Sequence, residues 1–255
     1  MSPSPVQPAL QALIFDVDGT LADTERDGHR PAFNAAFQQA GLDWHWDVPL
    51  YGELLAVTGG KERIRYYLEG FHRHLLADAD IDSRIARLHQ AKTRCYVDLI
   101  AQGQLPMRPG VARLITEARA AGLRLAIATT TTPENVAVLL EHSLAKGATA
   151  WFEVIGAGDV VPAKKPAPDI YRWVLERLGL PASACLALED SDNGLRAALG
   201  AGLVTVVTTN GYTLGHDFGG ASAVLPDLGT DDSPARVTLS QLVAWHAAAG
   251  AAKSV

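Results

Sequence analysis

The second half of this 255-residue chain alternates between compact apolar runs and amphipathic segments. From residue 110 onward, apolar residues at three- and four-residue spacings predict helices over 111–121, 133–144, 168–178 and 193–199. The apolar runs between them predict strands over 124–130, 151–155, 184–188 and 204–207. Strands that alternate with helices form parallel sheets with right-handed crossovers. The sequence therefore predicts an α/β fold with a central parallel sheet, to which 13–15 adds a first strand and 223–225 a possible edge strand.

The residues between the first strand and the other strands have a different pattern. No convincing strand occurs there, and helical apolar spacings recur over 30–40, 60–77 and 82–100. We predict a helical domain over 23–102 that is inserted into a sheet domain formed by 10–22 and 103–250. Because two chain connections join the two domains, the helical insert can open and close over the sheet.

Composition and charge exclude several classes of function. With 22 basic and 28 acidic residues, the formal net charge is −6, which argues against binding to nucleic acid or to an anionic membrane. No apolar run approaches the roughly 18 residues of a membrane span, and residues 1–9 lack the basic and apolar blocks of a signal peptide. The distant Cys95 and Cys185 suggest no disulfide framework. We expect a cytoplasmic, monomeric protein.

Two aspartates directly follow the first strand. Asp16 and Asp18 are one residue apart, and Gly19 and Thr20 after them indicate a turn. Alternation along the strand would point both carboxylates the same way, and such close like charges repel unless a cation or a shared proton separates them. Open α/β sheets bind ligands at the carboxyl ends of their strands. Hard oxygen ligands at this edge suit Mg²⁺.

Two later segments carry groups that could bind an anion. Residues 129–132 are four threonines before Pro133, so hydroxyls and N–H groups gather where a strand ends and a helix begins. The alternative is a hydroxyl cap on that helix. Lys164 and Lys165 lie in a segment stiffened by prolines, which either holds a fixed positive charge toward a phosphate or exposes a solvated pair.

A second acidic pair, Glu189 and Asp190, follows the strand predicted over 184–188. A polar side chain at this point could simply cap the next helix. Both acids precede the expected cap position, however, so capping gives them no purpose. We interpret them as a second set of ligands at the edge of the sheet.

The order of these motifs resembles the haloacid dehalogenase-like phosphatase superfamily over nearly the whole chain. The matching positions are Asp16-Val17-Asp18-Gly19-Thr20, Thr129, Lys165-Pro166-Ala167-Pro168-Asp169 and Glu189-Asp190. The resemblance implies a Rossmann-like core with an inserted cap. It favours a phosphatase over a dehalogenase, which would not need Asp18. Of the two neighbouring lysines, the motif position favours Lys165.

By this resemblance, four positions carry the reaction. Asp16 attacks phosphorus and forms an aspartyl-phosphate, which splits one difficult displacement into two easier ones. Asp18 protonates the departing alcohol and then deprotonates the water that hydrolyses the intermediate. Thr129 and the N–H of Thr130 bind phosphoryl oxygens, and Lys165 neutralises charge and orients Asp16.

The same resemblance implies Mg²⁺ as the cofactor. The Asp16 carboxylate, the Asp18 main-chain carbonyl and Asp190 would bind the ion, and Glu189 would assist through a water molecule. An ion held there offsets the repulsion between the carboxylates and the charge of the phosphate.

The inserted helices resemble the small α-helical cap of the phosphoglucomutase-like branch. Within them, a glycine-rich loop opens a helix whose first turn contains Lys61 and Arg63. Cations at this end oppose the helix dipole, which favours a bound anion. The alternative is a Gly-Gly turn followed by ordinary exposed charges.

More closely, parts of the cap and residues 156–166 resemble CbbY-type proteins, a group that contains xylulose-1,5-bisphosphate phosphatases. Enzymes of this kind remove a compound that inhibits Rubisco. The resemblance implies substrate contacts from Glu25, Tyr51, Gly59, Gly60, Lys61 and Arg63. Glu25 and Tyr51 would contact the sugar, and Lys61 with Arg63 the distal phosphate. Alternatively, Glu25 is an ordinary first-turn helix acid and Tyr51 belongs to the core.

Two other cap features leave simpler interpretations open. Trp44 and Trp46 are interpreted as packing residues, because two indoles bury a large area. His29 follows Gly28 near the connection between the domains, where it either contacts the substrate or packs.

Three classes of function compete. We favour an Mg²⁺-dependent sugar-bisphosphate phosphatase that acts on xylulose-1,5-bisphosphate. A phosphomutase would have to protect the phosphorylated intermediate from water until the substrate re-engages it. A non-catalytic phosphosugar sensor would have lost the nucleophile or a metal ligand, and neither Asp16 nor Asp190 is lost.

Overall fold

The computed structural model describes residues 10–103 and 105–252, so the interpretation of residues 1–9 lies outside the described part. Within it, the strands are β1 (Ala12–Phe15), β2 (Arg124–Ala128), β3 (Val154–Gly156), β4 (Cys185–Glu189), β5 (Val204–Thr208) and β6 (Ala223–Leu225). They form one sheet in the order β3-β2-β1-β4-β5-β6, and every neighbouring pair is parallel. The predicted parallel sheet, with its edge strand at β6, is confirmed.

Helices lie between and around these strands. They are α1 (Arg30–Gln39), α2 (Val48–Leu54), α3 (Gly60–Phe71), α4 (Ile81–Ala101), α5 (Val111–Ala120), α6 (Pro133–Leu139), α7 (Asp169–Leu178), α8 (Asp192–Gly200) and α9 (Leu239–Ala252). Helices α1 to α4 form the insert between β1 and β2, and the other helices accompany the sheet. The domain boundaries at 22/23 and 102/103 stay a prediction. None of the described helices is both long and apolar enough to cross a membrane.

The sheet separates two apolar layers, because successive strand residues point to opposite faces. Large side chains such as Leu13 and Phe15 of β1 pack on one face, in the cluster that includes α5 and α6. Small and medium side chains such as Ala12 and Ile14 face α7 and α8 on the other. Both faces of the strands are therefore buried, as is usual in a parallel sheet.

Strand register brings three strand ends together. Phe15, the last residue of β1, pairs with Ile127 of β2 on one side and with Leu188 of β4 on the other. The residues that follow these three strands therefore emerge at the same level of the same edge. The main-chain N–H of Asp16 also donates to the Leu188 carbonyl, at 3.0 Å, which fixes the start of the acidic loop.

The insert has an aromatic core of its own. Trp44 and Trp46 pack with Phe33, Phe37 and Tyr51 in one buried cluster. The predicted packing role of the two indoles is confirmed.

The structure departs from the predicted helices in four places. Helix α2 was not predicted, although Asp47 caps it by accepting from the Leu50 N–H at 2.9 Å. The predicted helix over 60–77 is interrupted at His72 and continues as a separate 3₁₀ turn. The predicted helix over 133–144 ends in a wider π turn after Leu139. Helix α9 was not predicted, because its alanine-rich sequence has no clear polar face.

Candidate active site

A cavity of about 690 Å³ lies between the insert and the carboxyl edge of the sheet. The sheet contributes Asp16, Asp18 and Asp190 to its lining, whereas the insert contributes Glu25 and Arg63. The wall of the cavity therefore carries acidic residues on both sides, with Lys165 on the side of the sheet and Arg26 and Arg63 on the side of the insert. Both aspartates of the first motif face this one space, as the sequence predicts.

Lys165 bridges the first and second acidic pairs. Its Nζ donates to Asp16 Oδ1 and to Glu189 Oε1, at 2.6 Å each. The hydroxyl of Tyr171 also donates to Glu189 Oε1. Lys164 instead turns away and donates to the Gly158 carbonyl at 2.5 Å. Lys165 is thus the lysine that faces the acidic cluster.

Burial dominates the electrostatics of this cluster. Burial raises the pKa of Asp16, and the charges of Glu189 and Asp18 add to the rise, although Lys165 opposes it. Burial likewise raises the pKa of Asp190. Burial alone would lower the pKa of Lys165, but Asp16 and Glu189 outweigh it and raise that pKa. The cluster thus carries more negative charge than its one lysine can offset.

The acidic cluster fits a divalent cation. Carboxylate oxygens of Asp16, Glu189 and Asp190 all lie within 4.8 Å of one another, and the three residues are buried. Hard oxygen donors are the ligands that Mg²⁺ prefers. A divalent charge would also oppose the burial and the carboxylate repulsion that together raise the pKa values of Asp16 and Asp190.

Asp18 is held by a chain of polar groups from the insert. Its Oδ1 accepts from the Thr24 hydroxyl at 2.6 Å and lies 2.7 Å from His29 Nε2. Lys92 Nζ lies 2.7 Å from His29 Nδ1. Because an ammonium group can only donate, Nδ1 accepts and Nε2 donates to Asp18. His29 therefore positions Asp18.

The same contacts set the charge of Asp18. Burial alone would raise the pKa of this carboxyl. His29 and the Thr24 hydroxyl, which both donate to the carboxylate, and the positive charge of Lys92 outweigh burial and lower it. Burial lowers the pKa of Lys92 to about 8, although Asp18 and Glu25 oppose this. Asp18 is therefore ionised in the absence of substrate.

The threonines after β2 divide into a cap and a lining. Thr132 is the N-cap of α6, because its hydroxyl accepts from the Asn135 N–H, and Pro133 occupies the first turn. The capping interpretation thus holds for Thr132. Thr129 is buried, and Thr130 lines the large cavity. Thr129 and Thr130 do not cap α6. They follow β2, which pairs with β1, the strand that leads into Asp16.

At the cap end, three predicted residues form one network. The Tyr51 hydroxyl donates to Glu25 Oε2, and Arg63 Nη1 donates to the Tyr51 oxygen at 2.9 Å. Arg63 Nη1 also lies 3.6 Å from Glu25 Oε2. The Tyr51 ring belongs to the aromatic core of the insert, so the core interpretation is confirmed, whereas its contact with the sugar stays a prediction. Arg63 Nε is buried without a hydrogen-bond partner among the described residues.

The structure separates Lys61 from Arg63. Lys61 lines a second cavity of about 140 Å³, together with Gly59 and Gly60. Its Nζ donates to Asp159 Oδ2 at 2.6 Å, and Lys164 donates to the other oxygen of the same carboxylate, also at 2.6 Å. Thr130 lines both cavities, so the two spaces are neighbours.

Two positioning residues were not recognised in the sequence. Lys92 lies on the apolar stripe of α4, between Ile85 and Tyr96, where the helical spacing calls for an apolar residue. A charged residue at such a position was a usable signal. Asn210, whose Nδ2 donates to Asp190 Oδ2 at 2.7 Å, follows β5 without a recognisable motif.

The chain is similar to known proteins along most of its length. The model of the haloacid dehalogenase-like hydrolase family matches residues 10–202. Protein CbbY of Cupriavidus necator, encoded on a plasmid, is 50% identical over 247 residues, which cover 93% of this chain and 97% of that protein. Protein CbbY of Rhodobacter capsulatus is 54% identical over 219 residues, covering 86% of this chain and 94% of that protein.

Solved structures agree with the fold. A mutant of CbbY from Rhodobacter sphaeroides, in complex with xylulose-(1,5)bisphosphate, matches with a TM-score of 0.79 and 48% identity, over 90% of this chain and 100% of that one. A β-phosphoglucomutase from Clostridium difficile matches with a TM-score of 0.73 over 94% of this chain and 98% of that one. Its 21% identity makes it a likeness of fold.

Proposed function

Because the chain belongs to the haloacid dehalogenase-like hydrolase family and is a phosphoric monoester hydrolase, we propose that it is an Mg²⁺-dependent sugar-bisphosphate phosphatase. Its proposed substrate is xylulose-1,5-bisphosphate, which it converts to xylulose 5-phosphate. The complex of a 48% identical CbbY protein with that bisphosphate supports this choice.

One observation carries the proposal. A single cavity of about 690 Å³ has a nucleophile-bearing acidic cluster with Lys165 at one end and Arg63 at the other. A sugar phosphate with one phosphoryl group needs a cation at one end, whereas a bisphosphate needs cations at both. The two separated cations therefore favour a bisphosphate.

The proposed reaction begins at Asp16. A carboxylate oxygen attacks phosphorus, an Asp16–phosphorus bond forms, and the ester bond to the sugar oxygen breaks. Lys165 donates to Asp16 Oδ1 and so orients the attacking group. Thr129 and the N–H of Thr130 bind the phosphoryl oxygens as charge moves onto them.

Asp18 moves the protons. It gives a proton to the departing sugar oxygen, and in the second step takes one from the water that breaks the Asp16–phosphorus bond. Its lowered pKa means that it must first gain a proton from solvent. The negative charge of an arriving phosphate raises the pKa of a neighbouring carboxyl, which favours that protonation. His29 and Thr24 keep the carboxyl aimed into the cavity.

When bound, Mg²⁺ supplies positive charge that offsets the charge of the phosphate and of the carboxylates. The Asp16 and Asp190 carboxylates and the main-chain carbonyl of Asp18 would hold it, with Glu189 assisting through water. The close, buried oxygens of Asp16, Glu189 and Asp190 support this ligand set.

At the cap end, Glu25 and Tyr51 are proposed to contact the sugar hydroxyls. Arg63, with the unpartnered Nε described above, is proposed to bind the distal phosphate together with Lys61 and the loop at Gly59 and Gly60. Lys61 would have to leave Asp159 to do so, since that pair holds it in the second cavity.

The proposal is tested by phosphate release from a panel of sugar monophosphates and bisphosphates, with Mg²⁺ and with a chelator. We expect the highest kcat/KM for xylulose-1,5-bisphosphate and no turnover with the chelator. Higher kcat/KM for a monophosphate would contradict the bisphosphate proposal. The phosphomutase alternative predicts isomerised sugar phosphates without net phosphate release, and the same panel detects it.

A further inference from the structure

Arg108 lies on the second chain connection between the insert and the sheet, just before α5. Its side chain is buried, and its main-chain N–H donates to the Leu21 carbonyl of the first connection at 2.8 Å. A buried guanidinium is costly unless its donors are satisfied. The hydrogen-bond acceptors of the Arg108 side chain therefore indicate which segments it holds together.

The guanidinium joins the loop after β1, which carries Asp16 and Asp18, to the segment after β5, which carries Asn210. Nη1 donates to the Gly19 carbonyl and, at 3.1 Å each, to the carbonyl and the hydroxyl of Thr208. Nη2 donates to the carbonyls of Thr209 and, at 2.8 Å, of Pro226. One cation thus holds the loop after β1 against the ends of β5 and β6.

The spacing between these loops is set at atomic contact. A β-carbon placed on Gly19 would lie 2.2 Å from Asp190 Oδ2 and 2.6 Å from Asn210 Nδ2. Gly19 has a φ of 84°, which favours glycine, so both its backbone conformation and its contact with Asp190 require a residue without a side chain. Asn210 in turn donates to Asp190 and follows directly after the Thr208 and Thr209 carbonyls that Arg108 binds. Asp190 is thus contacted by the loop after β1 at Gly19 and held by the segment after β5 through Asn210.

A third arm reaches the connection to the cap. Arg108 Nε lies 3.3 Å from Asp23 Oδ1. The next residue, Thr24, donates to Asp18 Oδ1. The guanidinium therefore contacts the first connection beside the residue that orients the proposed proton donor.

We propose that Arg108 is a positioning residue for phosphoryl transfer, which holds the loop of Asp16 and Asp18 in register with Asp190 and thereby sets the affinity of the acidic cluster for Mg²⁺. It reaches no reacting group itself, since its partners are main-chain carbonyls, the Thr208 hydroxyl and Asp23. The inference rests on the proposed function, because it assumes that the cluster binds Mg²⁺ for catalysis.

The test compares Arg108→Lys with the wild-type chain. Lysine keeps the charge but cannot present five donors in one plane, so the two loops lose their common anchor. We expect Mg²⁺ affinity, measured by calorimetry without substrate, to fall by roughly 10- to 100-fold, the range seen when groups that orient metal ligands are removed. The value of kcat at saturating Mg²⁺ should also fall, with KM for the bisphosphate little changed.

Arg113→Lys is the matched control. Arg113 also donates to main-chain carbonyls, those of Leu228 at 2.9 Å and Gly229 at 3.2 Å, but these belong to the segment after β6 and not to the loops after β1 or β4. This variant should lose thermal stability while Mg²⁺ affinity and kcat stay at the wild-type values. Asp23→Asn, which weakens the third arm alone, should change Mg²⁺ affinity less than Arg108→Lys does.

Three outcomes would overturn the inference. The first is an Arg108→Lys protein that is less stable but binds Mg²⁺ and turns over as the wild type does, which would make Arg108 merely structural. The second is wild-type protein that binds no Mg²⁺. The third concerns Thr208→Val, which is used if Arg108→Lys does not fold and which removes the hydrogen bond from Arg108 to the Thr208 hydroxyl. Unchanged Mg²⁺ affinity in Thr208→Val would also overturn the inference. Wild-type protein that binds Mg²⁺ but releases no phosphate from sugar bisphosphates would contradict the proposed function and leave the Mg²⁺ comparison valid.

Discussion

The two ends of the large cavity are built in different ways. At the sheet end, Asp16, Thr129 and Glu189 lie at or just beyond the ends of adjacent parallel strands, so backbone hydrogen bonding fixes their spacing. At the cap end, Glu25, Tyr51 and Arg63 come from a turn and two helices, and side-chain packing and hydrogen bonds fix theirs. The sheet end is therefore the rigid part of the site, and the cap end is the adaptable part.

This difference separates chemistry from selectivity. Phosphoryl transfer needs groups held within a fraction of an ångström, which a strand edge provides. Selectivity among sugar phosphates needs a binding surface whose side chains can vary from one enzyme to another without altering the catalytic groups. A set of packed helices provides such a surface. Substitutions at the sheet end should therefore lower kcat, and substitutions at the cap end should raise KM. The following tests can break or sharpen this division.

The largest effect is expected from Asp16→Asn. An amide cannot form the acyl phosphate bond, so kcat should fall by about 10⁴-fold or more. Phosphate release under saturating substrate measures this loss. Asp82→Asn, at an exposed residue that pairs with Arg65 in the insert, is the matched control and should keep wild-type activity. Substantial turnover by Asp16→Asn would contradict the covalent mechanism.

A large loss of stability is expected from Lys165→Met. This change leaves Asp16 and Glu189 buried without their shared cation, and removing one partner of a buried ion pair costs about 3–5 kcal/mol. Urea unfolding without Mg²⁺ measures the free energy of unfolding. Lys164→Met is the matched control and should cost about 1 kcal/mol or less, because its partner Asp159 is largely exposed. Equal losses in the two variants would refute the distinction between the lysines.

An intermediate effect on substrate binding is expected from Arg63→Met. Losing a charged hydrogen-bond donor at the distal phosphate should raise KM for the bisphosphate by about 10- to 100-fold. KM for the corresponding monophosphate should change much less. Lys61→Met should raise KM for the bisphosphate by a smaller factor, because Asp159 already holds this ammonium in the second cavity. Equal changes of KM for both substrates would contradict the assignment of a distal phosphate site.

A pH dependence of stability is also expected at the sheet end. Burial raises the pKa of Asp16 to about 8. The charges of Glu189 and Asp18 add to this rise, whereas Lys165 opposes it. Between about pH 4 and pH 8, the folded protein without Mg²⁺ therefore binds a proton that the unfolded chain has released. The free energy of unfolding should fall as the pH rises through this range, and Asp16→Asn should reduce the slope. A slope that is the same in both proteins would contradict the assignment to Asp16.

The sheet end could be predicted well from the sequence because each strand end carries its own motif. Asp16, Asp18, Thr129 and Glu189 follow or end apolar runs, and parallel pairing leaves one edge on which they can meet. The parallel sheet and its edge strand follow from the same alternation. Helix α2 was missed because its seven residues are too few to show a helical period.

The polar partners that connect these motifs could not be predicted in the same way. His29 and Lys92 are 63 positions apart, and Arg108 is 100 positions from Thr208. Such pairs form through tertiary packing, and no local spacing records them. Likewise, the two cations of one helical turn, Lys61 and Arg63, diverge because neighbouring positions on a helix point in different directions.

The central claim is that this chain removes one phosphate from a sugar bisphosphate held between the two ends of the cavity. Phosphorus NMR during turnover of xylulose-1,5-bisphosphate with Mg²⁺ tests it most directly. The account predicts one inorganic phosphate per substrate molecule, and xylulose 5-phosphate as the accumulating product. Release of both phosphates, or conversion to an isomeric bisphosphate without inorganic phosphate, would contradict it.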